Sequence, residues 1–168
     1  AVSDGAVVAA AGRTLDVRED WDVWGRDAGR TAALVRPIAT TAELHALEDA
    51  RSPSERMAVM SEFWQRRDPT PYSGGNEYLE EYLGRLDLIM DRFSVFGIDG
   101  ISTDMGRVYA LLGEPDQVED MPFETDMEPY QIWTYYSPPL TIVFLDRDGF
   151  GMYELTTPWD DVRRAYEN

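Results

Sequence analysis

The residues whose spacing is most suggestive of chemistry are Asp-Arg-Asp-Gly at positions 146–149 of this chain of 168 residues. Two carboxylates at alternate positions followed by a glycine have the form of a calcium loop, in which oxygen ligands wrap around the ion. Such a loop also needs a later bidentate glutamate, and Glu154 lies too close to Asp146 for that role. Because Asp-Gly is also a hairpin signal, a hairpin turn is the favoured interpretation. Asp146 and Asp148 remain candidate Ca²⁺ ligands.

Side chains that commonly carry out catalysis are few in kind. The chain has one histidine, His45, and no cysteine, which excludes thiolate chemistry and a His-x-x-x-His metal pair. A Ser-His-Asp triad would have to use His45, and no nucleophile-elbow motif accompanies it. The 32 acidic residues create many chance pairs, and none has apolar surroundings that would raise its pKa. We predict no enzymatic activity, catalytic residue or cofactor. The alternative is a calcium-stabilised enzyme or carbohydrate-processing domain with an unidentified carboxylate pair.

The net charge of −17 limits the classes of partner. A field of this sign repels phosphate backbones and anionic lipids, so nucleic-acid binding is not expected, and a protein partner is. An acidic stretch at 114–128 could attract a cation or a basic partner, although we favour a solvated connecting loop. No apolar run is long enough to span a membrane. Because the chain begins with alanine, we expect a processed product, and a removed signal or lipid anchor upstream stays open.

Capping residues in the sequence predict where several helices begin. Thr40 with Glu43 has the spacing of a capping box, Ser52 precedes a proline and a glutamate in the same way, and Asn76 precedes the longest amphipathic stretch. Apolar residues then recur at helical spacing, and we expect them to form the core. They include Met57, Met60, Phe63, Trp64, Leu79, Tyr82, Leu83, Leu86, Ile89, Met90 and Phe93.

The best-specified element is a short helix that follows residue 103. Thr103 is predicted to cap its N-terminus, Gly113 to end it in a left-handed conformation, and Pro115 to prevent its continuation. Asp104 and Arg107 lie at i, i+3 spacing and are expected to form an ion pair on its surface. We also expect Arg66 and Arg67 to bind carboxylates such as Asp104 or Asp116 across the fold, because guanidinium groups suit carboxylate pairing.

The C-terminal third has the pattern of an antiparallel meander. Strands are predicted at 130–136, 140–145 and 150–156, with a terminal helix after residue 157. Helices followed by such a meander define an α+β fold, with the sheet laid against the helices. We divide the chain into an irregular N-terminal arm, 1–38, and a single α+β domain, 39–168. Residues 33–38 have the composition of a short strand, but Pro37 and several glycines favour an irregular arm.

Trp21 and Trp24 lie at i, i+3 spacing within an acidic part of the arm. Such a pair most often packs an arm onto its own domain. Anchoring a partner is the alternative, since tryptophan is enriched in binding hot spots. We retain Trp21 and Trp24 as candidate interaction residues.

These residues together resemble the GWxTD-domain family of bacterial proteins. The named motif falls on residues 100–104, with Ile101 at the position of the family tryptophan. The resemblance covers about 35–157 and includes Thr103, Asp104, Arg107, Gly113, Pro115, Asp116 and Trp133 as motif residues. Further matching segments are 63–71, 76–77, 80–82, 92–93, 106–109, 112–116, 130–133 and 144–151.

The resemblance implies an exported protein, periplasmic or secreted, without an established activity. Residues 100–157 are also loosely similar to the SmpA/BamE-type outer-membrane assembly lipoproteins, which are binding modules. The looser similarity supports a helix packed on a sheet in this region, since likeness of fold is a weak warrant for function. The family resemblance, the lack of a catalytic constellation and the many aromatic residues favour a non-catalytic protein-interaction domain, such as an accessory or stabilising subunit of a bacterial envelope complex.

Overall fold

The computed structural model describes Trp24 and residues 27–121 and 128–167. Six α-helices and a four-stranded antiparallel sheet make up this part of the chain, which confirms the α+β fold. The helices are α1 (Ala28–Val35), α2 (Thr41–Asp49), α3 (Pro53–Gln65), α4 (Glu77–Phe93), α5 (Asp104–Leu112) and α6 (Trp159–Glu167), with a 3₁₀ turn at Gly100–Ser102. The strands are β1 (Gln117–Met121), β2 (Tyr130–Tyr136), β3 (Pro139–Leu145) and β4 (Glu154–Leu155).

The predicted helix starts are confirmed. Thr40 and Glu43 form a complete capping box, and Ser52, Asn76 and Thr103 each accept a hydrogen bond from a backbone N–H in the first turn of their helices. Each cap satisfies one of the free donors that a helix N-terminus leaves, so these residues determine where α2, α3, α4 and α5 begin.

The expectation of an irregular arm is wrong for residues 28–35, which make up helix α1. The alternative of a strand at 33–38 is not found either. Asp27 caps this helix by accepting a hydrogen bond from the Arg30 N–H at 3.0 Å. Short apolar runs suit a buried helix as well as a strand, and here burial of one helical face decides the outcome.

The sheet has the strand order β1-β2-β3-β4, with every neighbouring pair antiparallel. The strands predicted over 130–136 and 140–145 are found as β2 and β3. The third, predicted over 150–156, is reduced to Glu154–Leu155. Strand β1 lies within the acidic stretch expected to be a connecting loop. Its five residues pair with β2 from Gln117 opposite Thr134 to Met121 opposite Tyr130.

The core lies between the helices and one face of the sheet. Trp133 and Tyr135 of β2 and Ile142 and Phe144 of β3 are buried on that face. Trp133 contacts Phe144 edge-on at 4.8 Å between ring centroids, and Phe93 of α4 packs 5.7 Å from Trp133. No helix in the described residues is long and apolar enough to cross a membrane.

Candidate functional site

The segment from Gly100 to Gly106 packs closely against neighbouring backbone. A Cβ atom on Gly100 would lie 2.1 Å from the carbonyl oxygen of Ile89, and one on Gly106 would lie 1.9 Å from the carbonyl oxygen of Gly100. Neither position has room for a side chain, so α5 packs directly on the 3₁₀ turn and the turn packs directly on α4. This close approach positions the motif residues relative to α4.

Thr103 and Asp104 join this crossing to the sheet. The Thr103 hydroxyl donates to the Gly100 carbonyl at 2.7 Å and accepts from the Gly106 N–H at 3.1 Å. Asp104 accepts from the Leu155 N–H of β4 at 2.9 Å through Oδ2 and from Arg107 at 3.1 Å through Oδ1. The predicted Asp104–Arg107 ion pair is therefore confirmed.

Arg107 extends the same connections to the last helix. Its guanidinium carbon lies 4.6 Å from the ring centroid of Trp159, the first residue of α6. The carboxylate of Asp104 thus holds β4 directly and α6 through Arg107. These contacts account for Thr103, Asp104 and Arg107 as structural residues.

Replacing Asp104 with alanine should lower the free energy of unfolding by about 2 kcal/mol, because the Leu155 N–H and Arg107 both lose a charged acceptor. Asp161→Ala is a matched control, since Asp161 also forms an i, i+3 pair with an arginine, Arg164, on an exposed helix surface. This control should cost no more than about 0.5 kcal/mol. Urea unfolding of both variants measures the difference, and equal losses would contradict the role assigned to Asp104.

The remaining motif residues also serve the fold. Gly113 ends α5 with the positive φ expected of it, +78°, but with a ψ of −158° rather than a left-handed helical value, and its carbonyl accepts the Tyr135 hydroxyl at 3.0 Å. Pro115 lies two residues after Gly113, and the Asp116 carboxylate accepts the Tyr136 N–H at 2.7 Å. Trp133 donates its indole N–H to the Gln131 side chain at 2.7 Å. Together these contacts connect the end of α5 to β2.

The expected partners of Arg66 and Arg67 are wrong. Arg67 binds both carboxylate oxygens of Glu43 at 2.8 Å, and Arg66 pairs with Glu62 and lies 3.6 Å from Glu43. Neither reaches Asp104 or Asp116, whose carboxylates serve the motif region instead. Glu43 is the capping-box residue of α2, so this ion pair fastens α2 to the end of α3.

Asp146 and Asp148 behave differently from one another. Asp146 is buried, and its carboxylate accepts the N–H groups of Phe150 at 3.2 Å and Gly151 at 2.7 Å, which closes the loop before β4. Asp148 is exposed. The described residues contain no group of three or more histidine, cysteine, aspartate or glutamate side chains arranged to hold a metal ion. The contacts of Asp146 favour the interpretation of this segment as a turn over that of a calcium loop.

The two tryptophans of the N-terminal arm can be compared only in part, because Trp21 lies outside the described residues. Trp24 is 4 % exposed and contacts Trp64 edge-on at 5.7 Å. Its carbonyl accepts the Thr31 hydroxyl at 2.7 Å. This placement favours packing of Trp24 onto its own domain over docking of a partner. His45 is exposed on α2, as expected for a surface residue.

A cleft of about 270 Å³ adjoins the motif, between the end of α4, the start of α5 and the loop before β4. We call it the motif cleft. It is lined by Arg92, Phe93, Ser94, Val95, Thr103, Met105, Gln131, Gly151, Met152 and Tyr153. Its wall combines aromatic and methionine side chains with a few polar groups, which is the usual make-up of a binding cleft.

A strained turn stands beside the motif cleft. Val95 and Ile98 exchange two backbone hydrogen bonds, of 3.2 and 2.8 Å, around Phe96 and Gly97. Both central residues have positive φ, +50° and +81°, as in a type I′ hairpin turn. Phe96 is nevertheless 72 % exposed. Its side chain packs little against the protein in a conformation that phenylalanine rarely adopts.

A second exposed phenylalanine flanks the opposite side of the motif cleft. Phe150, which is 71 % exposed, precedes the lining residue Gly151, just as Phe96 follows the lining residue Val95. Sequence reasoning missed this surface. Gly97 is a common turn residue, but phenylalanine at position 96 is not typical of a type I′ turn, so no local pattern revealed it.

Negative charge surrounds the motif cleft. Burial raises the pKa of Tyr153, and the carboxylates of Asp120 and Asp146 raise it further. Asp120 also lies 3.5 Å from the lining residue Gln131. Arg92 supplies a positive charge at the cleft, but Glu114 is 3.4 Å away and balances it. The motif cleft thus has a lining of apolar and polar side chains, with carboxylates close to Tyr153 and Gln131.

These features define an α+β domain in which a helix-capping motif connects a helical layer to a small antiparallel sheet. The model of the GWxTD domain matches residues 27–148, more than half of the chain. The protein belongs to the GWxTD-domain family. Comparison with curated proteins and with solved structures gives no match, so the looser similarity to SmpA/BamE-type lipoproteins is without support.

Proposed function

We propose that this protein is a protein-binding domain whose motif cleft receives an apolar side chain from a partner segment with basic flanking residues. The observation that carries the proposal is Phe96, an aromatic side chain displayed on a strained, tightly hydrogen-bonded turn beside an apolar cleft. The hydrogen-bonded turn fixes the backbone that carries Phe96, and aromatic residues, which have few rotatable bonds, are common in hot spots.

The energetics of the turn support a functional role for Phe96. A non-glycine residue in the left-handed region costs about 1 kcal/mol, and asparagine tolerates that conformation better. Because Phe96 is mostly exposed, burial of its ring returns little of this cost in the free protein. Strain of this kind is typical of functional positions.

Charge supports the chemistry of the partner. The chain has a net charge of −17, and Asp120 and Asp146 add local negative charge near Tyr153. An approaching basic segment is attracted, whereas a second copy of this acidic protein is repelled. The family resemblance extends the proposal to an extracytoplasmic accessory subunit of a bacterial envelope complex.

The decisive variant is Phe96→Asn, because it separates folding from binding. Asparagine suits the first central position of a type I′ turn, so the free energy of unfolding should rise by about 0.5–1 kcal/mol. Removal of the aromatic ring should at the same time lower partner affinity at least tenfold. Tyr72→Ala is the matched control, since Tyr72 is a fully exposed aromatic residue in another loop and does not line the motif cleft.

Binding is measured by placing a photo-crosslinking amino acid at position 96 or at position 72 in the source bacterium. We expect an envelope-fraction adduct from position 96, mapped to a partner segment in which basic residues flank an apolar one. A synthetic peptide of that segment should bind the wild type and Tyr72→Ala alike, bind Phe96→Asn at least tenfold more weakly, and lose affinity as salt rises. Equal peptide affinity for all three proteins, or adducts from position 72 alone, would overturn the proposal.

A further inference from the structure

A second cleft, of about 370 Å³, lies on the other side of the family motif. We call it the Arg36 cleft. It is lined by Ala33 and Arg36 at the end of α1, Pro37, Ile101 and Ser102 of the 3₁₀ turn, and Arg107 of α5. Its volume falls within the range of small-ligand sites. None of its lining residues belongs to the motif cleft.

The position that distinguishes this protein from the family motif lies in this cleft. Ile101 stands where the GWxTD motif has tryptophan, and it is 3 % exposed, so it forms part of the cleft's inner wall. Isoleucine is much smaller than the indole that the motif places there. The departure from the family motif therefore lies at a core residue that borders the cleft.

The charges at the Arg36 cleft are opposite in sign to those of the protein as a whole. Arg36 is exposed, and within the described residues its side chain makes no ion pair or hydrogen bond. Arg107 also lines the cleft, but it pairs with Asp104 at 3.1 Å and lies over Trp159. The cleft thus offers one unneutralised guanidinium group, and Ser102 lines the same cleft, in a chain of net charge −17.

We propose that the Arg36 cleft binds a small organic monocarboxylate. The carboxylate pairs with Arg36 and accepts the Ser102 hydroxyl, and the apolar part of the ligand packs on Ala33, Pro37 and Ile101. An arginine fork suits a planar carboxylate, and the apolar lining selects an acid with a hydrocarbon group. The attraction to Arg36 and the repulsion by the carboxylates of the protein both double for a dianion, so the apolar lining, which inorganic phosphate cannot use, distinguishes the two ligands. This site is independent of the motif cleft.

The probes are benzoate, its neutral isostere benzamide, and inorganic phosphate, each titrated into the full chain and followed by the backbone and arginine side-chain N–H signals in NMR. Benzoate should shift the signals of Arg36, Ile101 and Ser102 and saturate in the millimolar range. Benzamide and phosphate should bind at least tenfold more weakly. Equal binding of benzoate and benzamide, or no saturable shift with benzoate, would overturn the proposal.

Two variants test the site from different directions. Ile101→Trp restores the family residue, should fold, and should abolish benzoate binding by occupying the cleft. Arg36→Gln removes the free charge and should weaken benzoate binding at least tenfold. Arg51→Gln is the control, because Arg51 is also exposed and has no side-chain ion pair in the described residues. Its affinity should stay within twofold of wild type. Wild-type benzoate affinity in Arg36→Gln would contradict the proposal that Arg36 binds the carboxylate. Phe96→Asn should leave benzoate binding unchanged, which separates this test from that of the motif cleft.

Discussion

Gly106→Ala is expected to lower the free energy of unfolding by roughly 3 kcal/mol or more, the largest effect of a single methyl group in this protein. The added Cβ would lie 1.9 Å from the Gly100 carbonyl oxygen and 2.7 Å from its carbonyl carbon. These are backbone atoms, so no side chain can rotate away to relieve the clash. The start of α5 must therefore move away from the 3₁₀ turn, and this movement disrupts the packing of the turn between α5 and α4.

Gly84→Ala is the matched control for this prediction. Gly84 lies in the middle of α4, and a Cβ there would meet no atom within 4 Å. Alanine should therefore raise the free energy of unfolding by about 0.5–1 kcal/mol through its higher helix propensity. Thermal unfolding should show Gly106→Ala melting roughly 6–12 °C below wild type, and Gly84→Ala slightly above it. Similar small changes in both variants would contradict the close crossing at Gly106.

The parts of the fold that the sequence predicted are those determined by neighbouring residues. Thr40 with Glu43, Ser52, Asn76 and Thr103 each satisfy backbone donors within three residues, so helix starts can be recognised without knowledge of the fold. Strands β2 and β3 were equally clear, because both are rich in aromatic and β-branched residues.

Strand β1 could not be recognised in the same way. Val118 is flanked by Gln117, Glu119 and Asp120, which have low strand preference, and the strand exists because β2 lies beside it in the fold. The partners of Arg66 and Arg67 were missed for a related reason. Glu43 is 24 residues away in sequence from Arg67, and only the packing of α2 against α3 brings the two together.

The candidate clefts depend still more on the complete fold. Thr103 and Met105 of the motif line one cleft, while Ile101, Ser102 and Arg107 line the other, so a single segment contributes to both. The motif was visible in the sequence as a helix start. The apolar and charged residues that complete each cleft come from α1, α4 and the loop before β4, whose positions no local pattern determines.

Glu43→Gln is expected to have the second-largest effect on stability, and its size should depend on pH. The Arg67 guanidinium is the main cause that lowers the pKa of Glu43 from 4.5 to about 2, with the Thr40 N–H assisting and burial opposing the shift. A carboxylate with a lowered pKa stabilises the folded protein above its unfolded-state pKa. That contribution is lost as the pH falls from about 4.5 towards 2. A shift of this size corresponds to about 3 kcal/mol.

The surroundings of Arg67 explain why the loss in Glu43→Gln is large at neutral pH. Arg67 is 17 % exposed, donates to the Ile38 and Phe63 carbonyls at 3.0 Å, and lies 3.7 Å from the Phe63 ring centroid. A neutral amide at position 43 leaves this enclosed guanidinium without its counter-charge. We therefore expect a loss of about 3 kcal/mol at pH 7.

Urea unfolding of wild type and Glu43→Gln from pH 7 down to pH 2.5 measures this contribution as the difference between the two proteins. The difference should be largest above pH 5 and should shrink steadily below pH 4.5, because wild-type Glu43 then loses the stabilisation that the glutamine variant never had. Glu62→Gln provides the control: Glu62 pairs with Arg66 on the surface, where both side chains are more than half exposed. It should cost no more than about 0.5 kcal/mol at any pH. A difference between wild type and Glu43→Gln that stays constant across this range would mean that Arg67 does not hold the Glu43 carboxylate in its charged form.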